Sequence, residues 1–201
     1  VCTNHEQGNS PFQYFKQMQN QGTLPDDITF VKVLDAISNQ RSLHEGKQIH
    51  ACIYSKGFES NIVVATALVN MYGRFGDLKE AQNAFNEMSK PDSMAWTTLI
   101  SVYAENGEHE VALQIFQQMQ AKRIKPNAAT FSVIMSIYAE LELVKKGQEI
   151  HADIERKGFL KICALVGNSL VDMYAKCGFP ITAEHIFDRL PNHDIVSWNA
   201  L

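Results

Sequence analysis

Apolar residues along this chain recur at helical spacing, in short bursts separated by turn residues. Trp96, Leu99, Ile100, Tyr103 and Ala104 fall at i, i+3, i+4, i+7 and i+8, which is one stripe of a helix. Val111, Ala112, Ile115, Phe116 and Met119 form a second stripe a few residues on. Asn106-Gly107 predicts the stop between them, because glycine readily takes the left-handed conformation at a helix end. The run "RIKPN" (123–127) closes the second helix, since Pro126 cannot continue one. The pair predicts a helical hairpin.

The pattern is repeated along the chain. "ALVNMYGRFG" (67–76), "TLISVYAENG" (98–107) and "SLVDMYAKCG" (169–178) share one outline. Aligned on it, Val33, Leu68, Leu99, Ile134, Leu170 and Leu201 are spaced by 35, 31, 35, 36 and 31 residues. Second helices carry a small residue four before a large ring, as in Ala81/Phe85, Ala112/Phe116 and Ala183/Phe187, which lets the helices of a hairpin approach closely. One hairpin cannot bury both its faces, so the expected fold is all-α: a right-handed superhelical solenoid of stacked helix-turn-helix repeats, with a groove lined by first helices. Both ends interrupt the repeat, so a chain cut from a longer array is expected.

Composition narrows the function classes. With 45% apolar and 20% charged residues the balance is that of a globular chain, and a net charge of -4 offers no electrostatic footprint for nucleic acid. Charge alone would favour a protein-binding scaffold. No apolar run is long enough to span a membrane. Cys2, Cys52, Cys163 and Cys177 show no C-x-x-C spacing and read as small buried residues rather than a zinc or redox site. "HEGKQIH" (44–50) fails as a metalloprotease helix because Gln48 stands where the second histidine is needed. His50 and His151 share one slot of a second helix, which predicts a structural role between helices. Trp96 and Trp198 share another and are expected to be packing anchors, and Pro180 suits the first turn of a second helix.

The rotating unit lengths, with "GKQIHACIYSKGFES" (46–60), "GQEIHADIERKGF" (147–159), "LVDMYAKCG" (170–178) and "IVSWNAL" (195–201), resemble the P, S and L motifs of plant pentatricopeptide repeat proteins of the PLS subfamily. Tetratricopeptide repeats share the hairpin, but their period is constant and their W-x-x-L-G-x-x-Y signature is absent here. On this resemblance the chain is a single array. Residues 1–26 are a truncated P-type repeat, 27–61 L-type, 62–92 S-type, 93–127 P-type, 128–163 L-type, 164–194 S-type, and 195–201 the start of another.

Such repeats read single-stranded RNA one base per repeat. The family's reading positions, the fifth and last of each motif, carry over to Val31 with Asn61, Thr66 with Asp92, Thr97 with Asn127, Ser132 with Cys163, and Asn168 with Asp194. Asp26 closes the truncated first motif and Asn199 opens the last. The family's code then makes Thr66/Asp92 a guanine reader, Thr97/Asn127 an adenine reader and Asn168/Asp194 a uracil reader, while Val31 and Cys163 leave the L-type units weak or silent. The expected core is G-A-N-U. Apolar second residues, Ile28, Val63, Met94, Ala129, Leu165 and Val196, would sandwich the bases, although most of their area is expected to go into packing between units. Arg74 and Lys176 are candidates for phosphate contact, with a solvated surface position as the competing reading. For Thr66, Thr97 and Asn168 the competing reading is exposure or a bond to a preceding carbonyl.

The resemblance implies a non-enzymatic specificity factor for C-to-U RNA editing in a mitochondrion or chloroplast, acting with editing-complex proteins. The deaminase signature H-x-E with P-C-x-x-C is absent from this chain. No cofactor, metal, membrane or small-molecule substrate is expected. An organellar RNA processing or stability factor and a protein-protein interaction scaffold are the alternatives.

Overall fold

The computed structural model describes residues 10–193 and 195–201. Among these residues the chain forms thirteen helices and no strand. They are α1 (Pro11–Asn20), α2 (Asp27–Gln40), α3 (Leu43–Ser55), α4 (Ile62–Arg74), α5 (Leu78–Asn86), α6 (Ser93–Glu105), α7 (His109–Ala121), α8 (Ala128–Glu140), α9 (Val144–Arg156), α10 (Phe159–Ile162), α11 (Ala164–Lys176), α12 (Pro180–Phe187) and α13 (Ile195–Ala200). The chain divides into two compact units, one ending at Val102 and one beginning at Tyr103.

In the first unit α2 and α4 lie side by side, with α3 packed on α2 and α5 on α4. The predicted stripes supply the contacts: Phe30, Leu34 and Ile37 of α2, Ile49 and Ile53 of α3 and Leu68 and Met71 of α4 are at most 1% exposed. Burying each such side chain contributes about 1.5–3 kcal/mol. Ala81 has no exposed surface, which lets Phe85 reach Trp96 edge-on at 4.8 Å. In the second unit α8 and α11 pair in the same way, with α9 on α8 and both α12 and α13 on α11. Phe187 meets Trp198 at 4.8 Å, repeating the Phe85–Trp96 contact. Both tryptophans are therefore packing anchors, Trp96 fully buried and Trp198 with 61% of its surface still open.

Two histidines join neighbouring repeats. His50 Nδ1 lies 2.7 Å from the Tyr72 hydroxyl and His151 Nδ1 lies 3.1 Å from that of Tyr174, each with the rings edge-on. This is the structural role that the shared slot predicts. Burial, with help from Glu80, Asp77 and Glu87, pushes the Tyr72 phenol up to about 12, so it stays protonated. Burial pushes the His151 imidazole below its ordinary value, against the opposing pull of Glu155. Gly46 and Gly147 stand four residues before these histidines, in the slot that Ala81, Ala112 and Ala183 fill on α5, α7 and α12. A Cβ on Gly46 would stand 2.6 Å from the Met71 sulfur and one on Gly147 2.8 Å from that of Met173.

Two features depart from the sequence reading. Cys52, Cys163 and Cys177 are free thiols with partly exposed surface, not buried residues. The single turn α10 has no counterpart in the periodicity, because four residues are too few to show a stripe. The helix boundaries follow the turn residues, with Gly107 at φ +81° in the hairpin turn and Pro180 opening α12.

Candidate nucleic-acid interface

Among the described residues, an Asn or Asp that closes a unit caps the first helix of the next. Asn61 Oδ1 accepts from the backbone N–H groups of Val63 and Val64 at 3.0 and 3.2 Å. Asp92 Oδ1 accepts from Ala95 N–H at 2.9 Å, and Asn127 Oδ1 from Thr130 N–H at 2.9 Å. Asp26 does the same for Thr29 and also accepts from its hydroxyl, and these bonds hold its carboxyl below the usual carboxylate value. The first N–H groups of a helix have no partner within it, so an Asn or Asp at this place meets a local need. The cap also leaves each side chain with one uncommitted polar end: a carboxylate oxygen in Asp92, an amide nitrogen in Asn61 and Asn127. Cys163 occupies the cap position of α11 without a side-chain cap bond. Asp194 lies outside the described residues.

Fifth-position side chains divide into classes. Thr66 Oγ1 donates to the Ile62 carbonyl at 2.6 Å and Thr97 Oγ1 to that of Ser93 at 2.7 Å, each one turn back on its own helix. A hydroxyl that donates its proton still has the oxygen lone pairs of an acceptor. Asn168 is 6% exposed, Val31 is half-buried and Asn199 is exposed. Ser132 Oγ lies 2.6 Å from Ser169 Oγ.

The apolar second residues are not mainly packing. Ile28, Val63, Met94, Leu165 and Val196 keep between 50% and 66% of their surface exposed, and Ala129 is exposed too. Apolar side chains placed in phase on first helices and left open can lie against a flat apolar ring. In the second unit a cleft of about 300 Å³ lies between Leu165 and Val196, lined also by Ser136, Asn168, Ser169, Asp172, Asn199 and Ala200. It brings Asn168 and Asn199 together with two of the second residues. Ser169 and Asp172 were missed in the sequence, where only their helical spacing from Leu165 points to them.

The two cations are already paired. Arg74 donates to Asn39 at 2.7 Å and stands 3.8 Å from Asp35, while Lys176 stands 2.8 Å from Asp172. Both remain substantially exposed, so the pairs are weak and open to competition from another anion. Among the described residues no group of three His, Cys, Asp or Glu side chains is placed to hold a metal ion.

The sequence pattern of the PPR repeat family matches residues 91–140, and that of the PPR repeat matches 63–90 and 168–195. The pentatricopeptide repeat-containing protein At1g03540 of Arabidopsis thaliana is 35% identical over 94% of this chain and 30% of its own length. The chloroplastic pentatricopeptide repeat-containing protein At4g35130 of the same plant is 35% identical over 94% of this chain and 23% of its own. The chain thus spans less than a third of the length of these relatives. The crystal structure of the pentatricopeptide repeat protein PPR10 in complex with an 18-nt psaJ RNA element has a TM-score of 0.74 at 27% identity, covering 94% of this chain and 29% of that one. Stacked helical hairpins and these matches together show that the chain belongs to the pentatricopeptide repeat family.

Proposed function

We propose that this chain binds single-stranded RNA sequence-specifically, one base per repeat, as a PLS-type array serving C-to-U editing in a mitochondrion or chloroplast. The observation that carries the reading is the cap. With one oxygen held by backbone N–H groups, Asp92 offers an acceptor, which suits the imino N–H of guanine or uracil. Asn61 and Asn127 offer a donor, which suits the ring nitrogen acceptor of adenine or cytosine. The fifth residue then selects within each class, Thr66 and Thr97 for purines and Asn168 for a pyrimidine, which makes the core G-A-N-U. The open second residues supply stacking that every base can use. The editing and organelle assignments rest on the alternating unit lengths and on relatives named as mitochondrial or chloroplastic.

The test is equilibrium binding to RNAs carrying G-A-N-U with each position varied. Asn168→Thr should move preference at the last position from U toward G, and Thr97→Asn should move the second from A toward C, each by about 1–3 kcal/mol. A uniform loss at every base would overturn the reading. For the editing role, disrupting the protein should leave a cytidine downstream of such an element unedited in organellar transcripts; unchanged editing at every such site would remove that role.

A further inference from the structure

The fifth-position hydroxyls of the chain do not all point the same way. Those of Thr66 and Thr97 donate to the carbonyl one turn back on their own helices. Ser132 on α8 instead meets Ser169 on α11 at 2.6 Å. Ser169 Oγ gives its own proton to the Leu165 carbonyl at 2.9 Å, so Ser132 must be the donor between the two serines. The same two units also meet through α9 and α11, where Gly147 admits Met173 and His151 meets Tyr174. In the other pair of L-type and S-type units these two slots hold Val31 and Ala67, neither of which has a hydroxyl.

We propose that Ser169 is a positioning residue that sets specificity: it holds the Ser132 hydroxyl across the α8–α11 seam, so that the unit 128–163 spaces the RNA without reading its base. This rests on the one-base-per-repeat reading above. Without the Ser169 hydroxyl, the Ser132 proton returns to the carbonyl of Ala128, one turn back. Ser132 then takes the pose of Thr66 and Thr97, the two residues assigned to purines.

Ser169→Ala keeps a residue that the other S-type unit already uses at this slot, Ala67, and alanine favours the helix. Wild type and variant are titrated with four RNAs, G-A-N-U with each base at N. The wild type is expected to bind all four within about twofold. Ser169→Ala should prefer purines at N by about threefold or more, the size of one net hydrogen bond, with the preference at the A position unchanged. Ser169→Thr, which keeps the hydroxyl, should restore indifference at N, and Ser132→Ala added to Ser169→Ala should abolish the new preference. Discrimination at N by the wild type overturns the proposal, as does a Ser169→Ala protein that still reads A but remains indifferent at N. Indifference of the wild type at every position removes the one-base-per-repeat reading itself, and this proposal with it.

Discussion

Asparagine and aspartate at the cap position share one geometry and differ in the group they leave uncommitted. Asp92→Asn should keep the bond to Ala95 N–H, since Oδ1 makes it, while exchanging a free acceptor for a donor. The expected result is a change of preference from G to A at one RNA position with little change in melting temperature. Asp92→Ala removes cap and reader together, so it should lose the preference and also about 0.5–2 kcal/mol of stability in urea unfolding. If Asp92→Asn melts like wild type and still prefers G, the cap does not determine the reading. The signal for the cap, Asn or Asp directly before an apolar-periodic run, stands in the sequence, but these residues were read there only as the last of their units. The openness of Ile28 and Met94 was not, because an apolar residue near a helix start is buried or bare according to its neighbours in space. The Ser132–Ser169 bond joins residues 37 apart and leaves no local trace.

At the scale of helices, close approach decides which glycines matter. A Cβ on Gly73 would stand 2.4 to 2.9 Å from three atoms of Val102, whose branched side chain is stiff in a helix. At Gly147 the obstruction is the far end of Met173, which can swing aside. Gly73→Ala should therefore cost about 1–3 kcal/mol in urea unfolding, and Gly147→Ala distinctly less, since alanine's helix preference offsets part of the clash. Equal costs would mean that the side chain met is not what decides. His151 adds a pH dependence. Burial lowers its pKa in the fold, and Tyr174, Glu155 and Arg189 are the polar groups that face it. The unfolded chain thus binds the proton more readily, so stability is lost as pH falls through the ordinary value of 6.5 toward the lower folded one. On going from about pH 7.5 to about pH 5.5, roughly one unit either side of that ordinary value, His151→Phe should lose less melting temperature than wild type. The longer helices were legible because they carry apolar stripes, and the single turn α10 was not. The His151 contact was legible only as a repeated slot, and the one at Gly73 was not legible.

For the whole chain, charge is the quantity in tension with RNA binding. The net charge is -4, and Arg74 and Lys176 already face Asp35 and Asp172. On the proposed function, RNA phosphates would compete with carboxylates for the same cations, and affinity should be modest and salt-sensitive. Period and unit length made the array legible, whereas this pairing was not, because Lys176 read equally well as a solvated surface residue. Asp172→Asn should free Lys176, raise affinity for every RNA alike and steepen the dependence of log affinity on log salt by about 0.7, the value for one phosphate of a single strand. Glu184→Gln changes the net charge by the same amount from an exposed place on α12, so it should leave that slope unchanged. A steeper slope in both variants would point to net charge alone, and an unchanged slope in Asp172→Asn would mean that Lys176 meets no phosphate.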